Sequence, residues 1–208
     1  MRAERELTGR AAIIVAIHND ESPVVRTNDL TPASIGSINF PPEIPDQMRR
    51  MFRPAGEAFD AFVVDTLMPV VEDRFLVREG RGYTAFCGSS SGGLQSFFTA
   101  MSHPERFGAA GVFSPAFTFY SREDITRWIY SRLCSEMPYL YFYCGGEGGL
   151  EQELLRCTEY VYDILLECCP PETLSEVILP DQPHHEKAWA PIFRDFLHTF
   201  LDRANQAN

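Results

Sequence analysis

The 208-residue chain reads as an α/β protein, a mostly parallel sheet with helices on both faces. Two observations predict this class. Short apolar runs rich in β-branched and aromatic residues alternate with longer segments of helical periodicity. Polar or glycine-rich turns follow the runs directly, as in open parallel sheets, where sites form beyond the carboxyl ends of the strands. The length suits a single domain over 1–208, and a 45% hydrophobic content with 16 Phe and 8 Tyr supports a packed core.

The first run, residues 11–17 (Ala-Ala-Ile-Ile-Val-Ala-Ile), is continuous and predicts a strand buried on both faces, ending at His18, Asn19 and Asp20. Residues 20–54, rich in Pro, Asn, Ser and Thr, read as a long irregular excursion of the kind that lines sites. Helical spacing over 55–75 places Phe59, Phe62, Val63, Leu67, Val70 and Val71 on one broad face, with a kink or break expected at Pro69. Further strands are predicted at 83–87, 109–113, 139–144 and 175–179. Helices are predicted at 94–102, 123–133, 150–167 and 189–204. The expectation is thus five strands.

Net charge is −11, from 29 acidic and 18 basic residues, and no Lys/Arg cluster relieves it. That balance excludes non-specific binding to nucleic acid or anionic lipid. No apolar stretch is long enough to span a bilayer, and Met1 to Arg10 lacks a signal-peptide core. The six cysteines show no zinc-ligand spacing, and the adjacent Cys168 and Cys169 make a poor disulfide framework, so a reducing cytoplasm is expected. No glycine fingerprint for a dinucleotide or P-loop is present, so no cofactor is expected. No metal is expected either, because His184, His185 and Glu186 are adjacent rather than spaced for one helix face.

The chemistry-bearing segment is Gly88-Ser89-Ser90-Ser91-Gly92, a G-x-S-x-G placed between a strand pattern and a helix pattern. Such a turn exposes a nucleophile at the sheet edge, and its neighbours must be small or tolerate positive φ. Ser90 is the expected nucleophile, and the Ser91 N–H at the helix N-terminus faces a developing oxyanion. A base is expected after the last strand, where His184 and His185 lie in a polar turn. Position alone does not separate them. His103 reads as structural, His198 as surface or packing, and His18 as a residue that lines the site with Asn19. The orienting acid is expected after the penultimate strand. Glu147, flanked by four glycines, is the choice, while Glu151 or Asp163 could substitute. Phe117, Phe119, Tyr120 and Trp189 would suit an apolar or aromatic acyl group.

With those residues placed, the chain resembles the putative-esterase family of α/β-hydrolases, which groups enterochelin-esterase-like, feruloyl-esterase-like and esterase-D-like enzymes. The resemblance runs from about Ala11 to the C-terminus. It rests on Ile13 to Asn19, Arg26 to Pro32, and Phe62 to Arg74. The segments Gly88 to Leu94, His103 to Gly108 and Phe113 to Phe117 are its most specific part. His184-His-Glu-Lys-Ala-Trp189 resembles the family's His-x-Glu-x-x-Trp, which implies His184 as the base. Glu147 falls in the family's Gly-rich acid turn. The resemblance implies an esterase that acts on a small-molecule carboxylic ester through an acyl-Ser90 intermediate, with an acyltransferase or a non-catalytic binding module as the alternatives. About three strands that usually precede the first run are absent. One of them would sit between the first two runs and would donate an oxyanion N–H. A strand edge left open by its absence would favour association, including a homo-oligomer.

Overall fold

A computed structural model describes residues 11–40 and 45–206. Its centre is a four-stranded parallel sheet in sequential order: β1 (Ala85–Ser89), β2 (Ala109–Phe113), β3 (Tyr139–Glu147) and β4 (Leu174–Pro183). Ala85, Ala109 and Tyr139 are in register, so the strand ends form a common carboxyl edge. β3 and β4 run past the lengths expected from the sequence. A bulge between Gly145 and Glu147 carries their pairing to Glu147 beside Pro183. β4 is an edge strand, which lets it carry Pro180 and Pro183 without breaking a central ladder.

The period-2 alternation of the strands sorts their side chains into two cores. Ala110, Val112, Leu140 and Phe142 point to one face, and Ala109, Phe113, Tyr139, Tyr141 and Tyr143 to the other. The first face is covered by three helices, α5 (Ser91–Ser102), α6 (Arg122–Arg132) and α7 (Gly149–Cys168), through Leu94, Phe97, Trp128, Ile129, Val161 and Leu165. The second is covered by α8 (Glu186–Gln206), whose Ile192 and Phe196 pack on Phe113 and Tyr141. The α6 N-terminus is closed by Ser121, which accepts the Asp124 N–H at 3.1 Å.

Ahead of the sheet come α1 (Pro23–Asp29), α2 (Asp46–Met51), α3 (Gly56–Ala61) and α4 (Met68–Arg74). A wide π-type turn, Phe62–Leu67, joins α3 to α4 without a break. It immediately precedes the turn that holds Pro69, whose ring crowds the preceding carbonyls and whose nitrogen cannot donate. The helix buries Val63 and Val64, whereas Phe62 and Val70 face outward, so its apolar face is narrower than the sequence spacing suggests.

The first expected strand does not form. Residues 11–17 run without sheet pairing, and Ile13, Ile14 and Val15 are 44–50% exposed. An apolar β-branched run needs a neighbouring strand edge to become a strand. Here a cavity of about 950 Å³ separates it from β1, lined by Val71, Phe86, Cys87, Phe107, Phe196 and Phe200 among others. The sheet therefore has four strands rather than five, and β1 has a partner on one side only among the described residues.

Candidate active site

Four residues stand just beyond four consecutive strand ends: Ser90 after β1, Ser114 after β2, Glu151 after β3 and His184 after β4. Ser90 adopts φ 60° and ψ −125°, a conformation uncommon for a residue with a side chain. Its own backbone bonds hold it there. The Ser90 N–H donates to the Phe113 carbonyl at 2.9 Å, and the Ser90 carbonyl accepts from Leu94 and Ala116 N–H at 3.1 Å each. The turn is tight enough that a Cβ on Gly88 would lie 2.5 Å from the Gly92 oxygen, and one on Gly93 would lie 2.7 Å from the Phe113 oxygen. Glycine is required at both by close approach of backbone. Ser91 opens α5, and the first N–H groups of a helix have no acceptor within it, so they remain available to an anion.

The carboxylate that meets His184 is Glu151 rather than the expected Glu147. Glu147 ends β3 in an exposed position. Glu151 lies one turn further on, in the first turn of α7, and is fully buried at 0% exposure. Its Oε2 meets His184 Nδ1 at 2.6 Å, while Oε1 accepts from the Ser114 hydroxyl at 2.5 Å and from the Gly145 N–H at 2.8 Å. The path of the backbone decides between the two. The β3–β4 ladder continues to Glu147, which pairs with Pro183 and leaves its side chain exposed. A helical first turn then directs Glu151 back over Gly145, where a Cβ would press on Glu151 Cγ at 3.0 Å. Burial raises the Glu151 pKa. The hydrogen bonds from His184, Ser114 and Gly145, with the attraction of His184, outweigh it and hold the carboxyl below its ordinary value. Asp163, the other alternative, is exposed on α7.

Of the two adjacent histidines, His184 points to Glu151. His185 is exposed, its Nδ1 accepting the Lys187 N–H at 3.0 Å and lying 3.4 Å from Glu186. His103 pairs with the largely buried Asp60 at 2.7 Å, at the far end of α5 from Ser90. His18 is exposed and Asn19 half-buried on the unpaired segment. Asn19 lines the large cavity, whose wall also includes Ser89 and Gly92, and Asn19 and His18 both line a smaller hollow with Phe59 and Phe62.

Phe117, expected to line the substrate site, lies inside the core. It is 2% exposed and packs edge-on against Phe97 at 5.2 Å, because the 3-10 turn Phe117–Phe119 directs it into the core. Tyr120 is buried as well, with its hydroxyl donating to the Pro32 carbonyl at 2.5 Å. Trp189 stands beside the histidine as expected. Its ring meets His184 edge-on at 4.8 Å between centroids, and its N–H donates to Ser114 Oγ at 3.0 Å. Ser114 was missed from sequence, although it directly follows a strand and could have been found by that rule. Cys144 lies 3.7 Å from Glu151 Oε1, and burial with the neighbouring carboxylate pushes its thiol pKa up to about 12, so it stays neutral.

The sequence profile of the family described as Putative esterase matches residues 51–140, which include the Ser90 turn and end just inside β3. Curated protein sequences give no match. Solved structures share the fold. An IroE-like serine hydrolase from Shewanella oneidensis aligns over 85% of this chain and 57% of its own, at TM-score 0.65 and 17% identity. A siderophore hydrolase, EstA, from Aspergillus nidulans aligns over 93% and 70%, at TM-score 0.62 and 21% identity. The enterobactin esterase of Shigella flexneri aligns over 79% and 43%, at TM-score 0.60 and 18% identity. The chain thus spans about half the length of the first and third of these enzymes. Among the described residues the fold is that of the α/β-hydrolases, built on four parallel strands, and the likeness expected from the sequence is to esterases of this kind. Among the described residues no helix is long and apolar enough to cross a membrane, and no three metal-ligating side chains are grouped.

Proposed function

We propose that this chain is one α/β-hydrolase domain that cleaves a small carboxylic ester through an acyl-serine intermediate. Ser90 is the nucleophile, His184 the general base and Glu151 the orienting acid. The observation that carries the reading is the 2.6 Å contact of His184 Nδ1 with the fully buried Glu151, at the sheet edge that also presents the strained Ser90. A carboxylate at Nδ1 holds the proton on that nitrogen and leaves Nε2 free to accept the Ser90 proton.

In the first half-reaction Ser90 Oγ attacks the ester carbonyl carbon and its proton passes to His184 Nε2. Charge develops on the carbonyl oxygen and is stabilised by the Ser91 N–H at the α5 N-terminus. Collapse expels the alcohol, which takes the proton from His184. Water then attacks the acyl carbon, gives its proton to His184, and the carboxylic acid leaves with Ser90 reprotonated. Glu151 stays ionised throughout, consistent with its lowered pKa. All six cysteines carry free thiols, and we assign the protein to the reducing cytoplasm.

A second reading, a hydrolase-fold binding protein without turnover, is favoured by the β1 edge, which has no second partner strand among the described residues, and by the cavity beside it. Covalent labelling by a fluorophosphonate separates the two. Labelling of the folded chain that is lost in Ser90→Ala and His184→Ala supports the hydrolase. A folded chain that takes no label is the binding protein.

A further inference from the structure

The buried hydroxyl of Ser114 and the indole N–H of Trp189 have no direct part in the reaction above. Ser114 is fully buried with φ 40°, where glycine would be less strained, and its N–H is held by the Tyr143 carbonyl at 2.6 Å. An indole N–H can only donate, so Ser114 Oγ is the acceptor in the 3.0 Å bond with Trp189. The one hydroxyl proton of Ser114 is then committed to Glu151 Oε1 at 2.5 Å. Glu151 Oε2 in turn receives His184 Nδ1–H, and the His184 ring meets the Trp189 ring edge-on with an interplanar angle of 88°. The contacts close a ring: Trp189 to Ser114 to Glu151 to His184 and back to Trp189. Its members come from the end of β2, the first turn of α7, the β4–α8 junction and the first turn of α8.

We propose that Ser114 and Trp189 are positioning residues, which together clamp the Glu151–His184 pair so that the imidazole is held at one orientation and one tautomer. The proposal rests on the triad reading above. Trp189 restrains the ring from its edge and also orients the hydroxyl that fixes the carboxylate. Because Trp189 acts on Glu151 only through Ser114, the carboxylate part of its effect disappears when the hydroxyl is gone.

The experiment is a double-mutant cycle of Ser114→Ala and Trp189→Phe, in which phenylalanine keeps a ring beside His184 and lacks the donor. The readouts are the fluorophosphonate labelling rate across pH, thermal stability, and the downfield proton resonance of the His184–Glu151 hydrogen bond. Ser114→Ala is expected to label roughly tenfold to a hundredfold more slowly, and Trp189→Phe roughly threefold to tenfold. The double variant is expected to be no slower than Ser114→Ala. The acid limb of the Ser114→Ala profile should move upward in pH, since Glu151 has lost a donor. Ser114→Gly, which the positive φ favours, stands in if the alanine variant does not fold. Penalties that add, or folded variants within twofold of wild type, overturn the clamp. Absence of labelling in wild type overturns the triad reading instead. The proton resonance still judges the clamp in that case: it shifts or broadens in both variants if the clamp is right, and is unchanged if it is wrong.

Discussion

Replacing Glu151 by glutamine isolates what the buried carboxylate does, because the two side chains have the same shape. Oε1 would still accept from Ser114 and Gly145, so the fold is kept. At Oε2 the substitution changes two things. The charge disappears, and an amide NH₂ can face His184 Nδ1, which drives the proton to the other nitrogen and blocks the base. The electrostatic part can be sized from the 2.6 Å contact, which sets the centres of the carboxylate and imidazolium roughly 4 Å apart. At an effective dielectric constant of about 20 that attraction is about 4 kcal/mol, or about 10³-fold in rate when the imidazolium forms in the transition state. The assay is hydrolysis of a chromogenic ester, with the labelling rate as a second readout. kcat should fall about 10³-fold for Glu151→Gln while KM changes little, because the lost interaction belongs to the transition state. Glu147→Gln, at an exposed position, should stay within twofold of wild type. A loss below tenfold in Glu151→Gln, or an equal loss in Glu147→Gln, would refute the assignment.

Further outcomes follow from the same geometry. The depressed Glu151 pKa means that the folded chain binds that proton less readily than the unfolded one. The carboxylate therefore contributes stability above the ordinary value of 4.5, and that contribution is lost as the pH falls from there through the lowered folded value. Acid unfolding followed by circular dichroism should show this decline in wild type and a shallower one in Glu151→Gln. His184→Ala should abolish labelling while His185→Ala retains it, since only His184 meets the buried acid. Gly88→Ala would set a Cβ 2.5 Å from the Gly92 oxygen, cost about 1–3 kcal/mol in urea unfolding and suppress labelling by displacing Ser90. Phe117→Ala should cost about 3–5 kcal/mol, read as a lowered Tm, because it empties a site packed by Phe97 and Phe142. A drop in labelling at unchanged Tm would show instead that Phe117 lines the substrate site.

The alternation of short apolar runs with helical periods identified β1 to β4 and the helices of the sheet, because each such element repeats its own pattern over its own length. Ser90 was legible for a related reason. The glycines and serines around it answer a purely local demand, that the backbone turn sharply within five residues. Residues 11–17 mark the limit of that logic. Their composition is that of a buried strand, yet a strand is a pairing between two segments, and among the described residues no strand pairs with them. Phe117 shows the same limit for side chains, since proximity in sequence to the site did not decide which way the 3-10 turn would point it.

What the sequence determined by itself was the class of fold, the tight glycine- and serine-rich turn that holds Ser90, and the polar turn that holds His184. These depend on periodicity and on turn chemistry within a few residues. Only the tertiary structure brought Glu151 rather than Glu147 to His184, and only it brought in Ser114. Those choices turn on the bulge at the end of β3 and the direction of the first turn of α7, which bring a carboxylate, an imidazole and a hydroxyl from separate segments to within 2.5–2.6 Å. No local pattern encodes such a meeting, because each residue would read equally well as a polar residue in a turn until the sheet sets its neighbours.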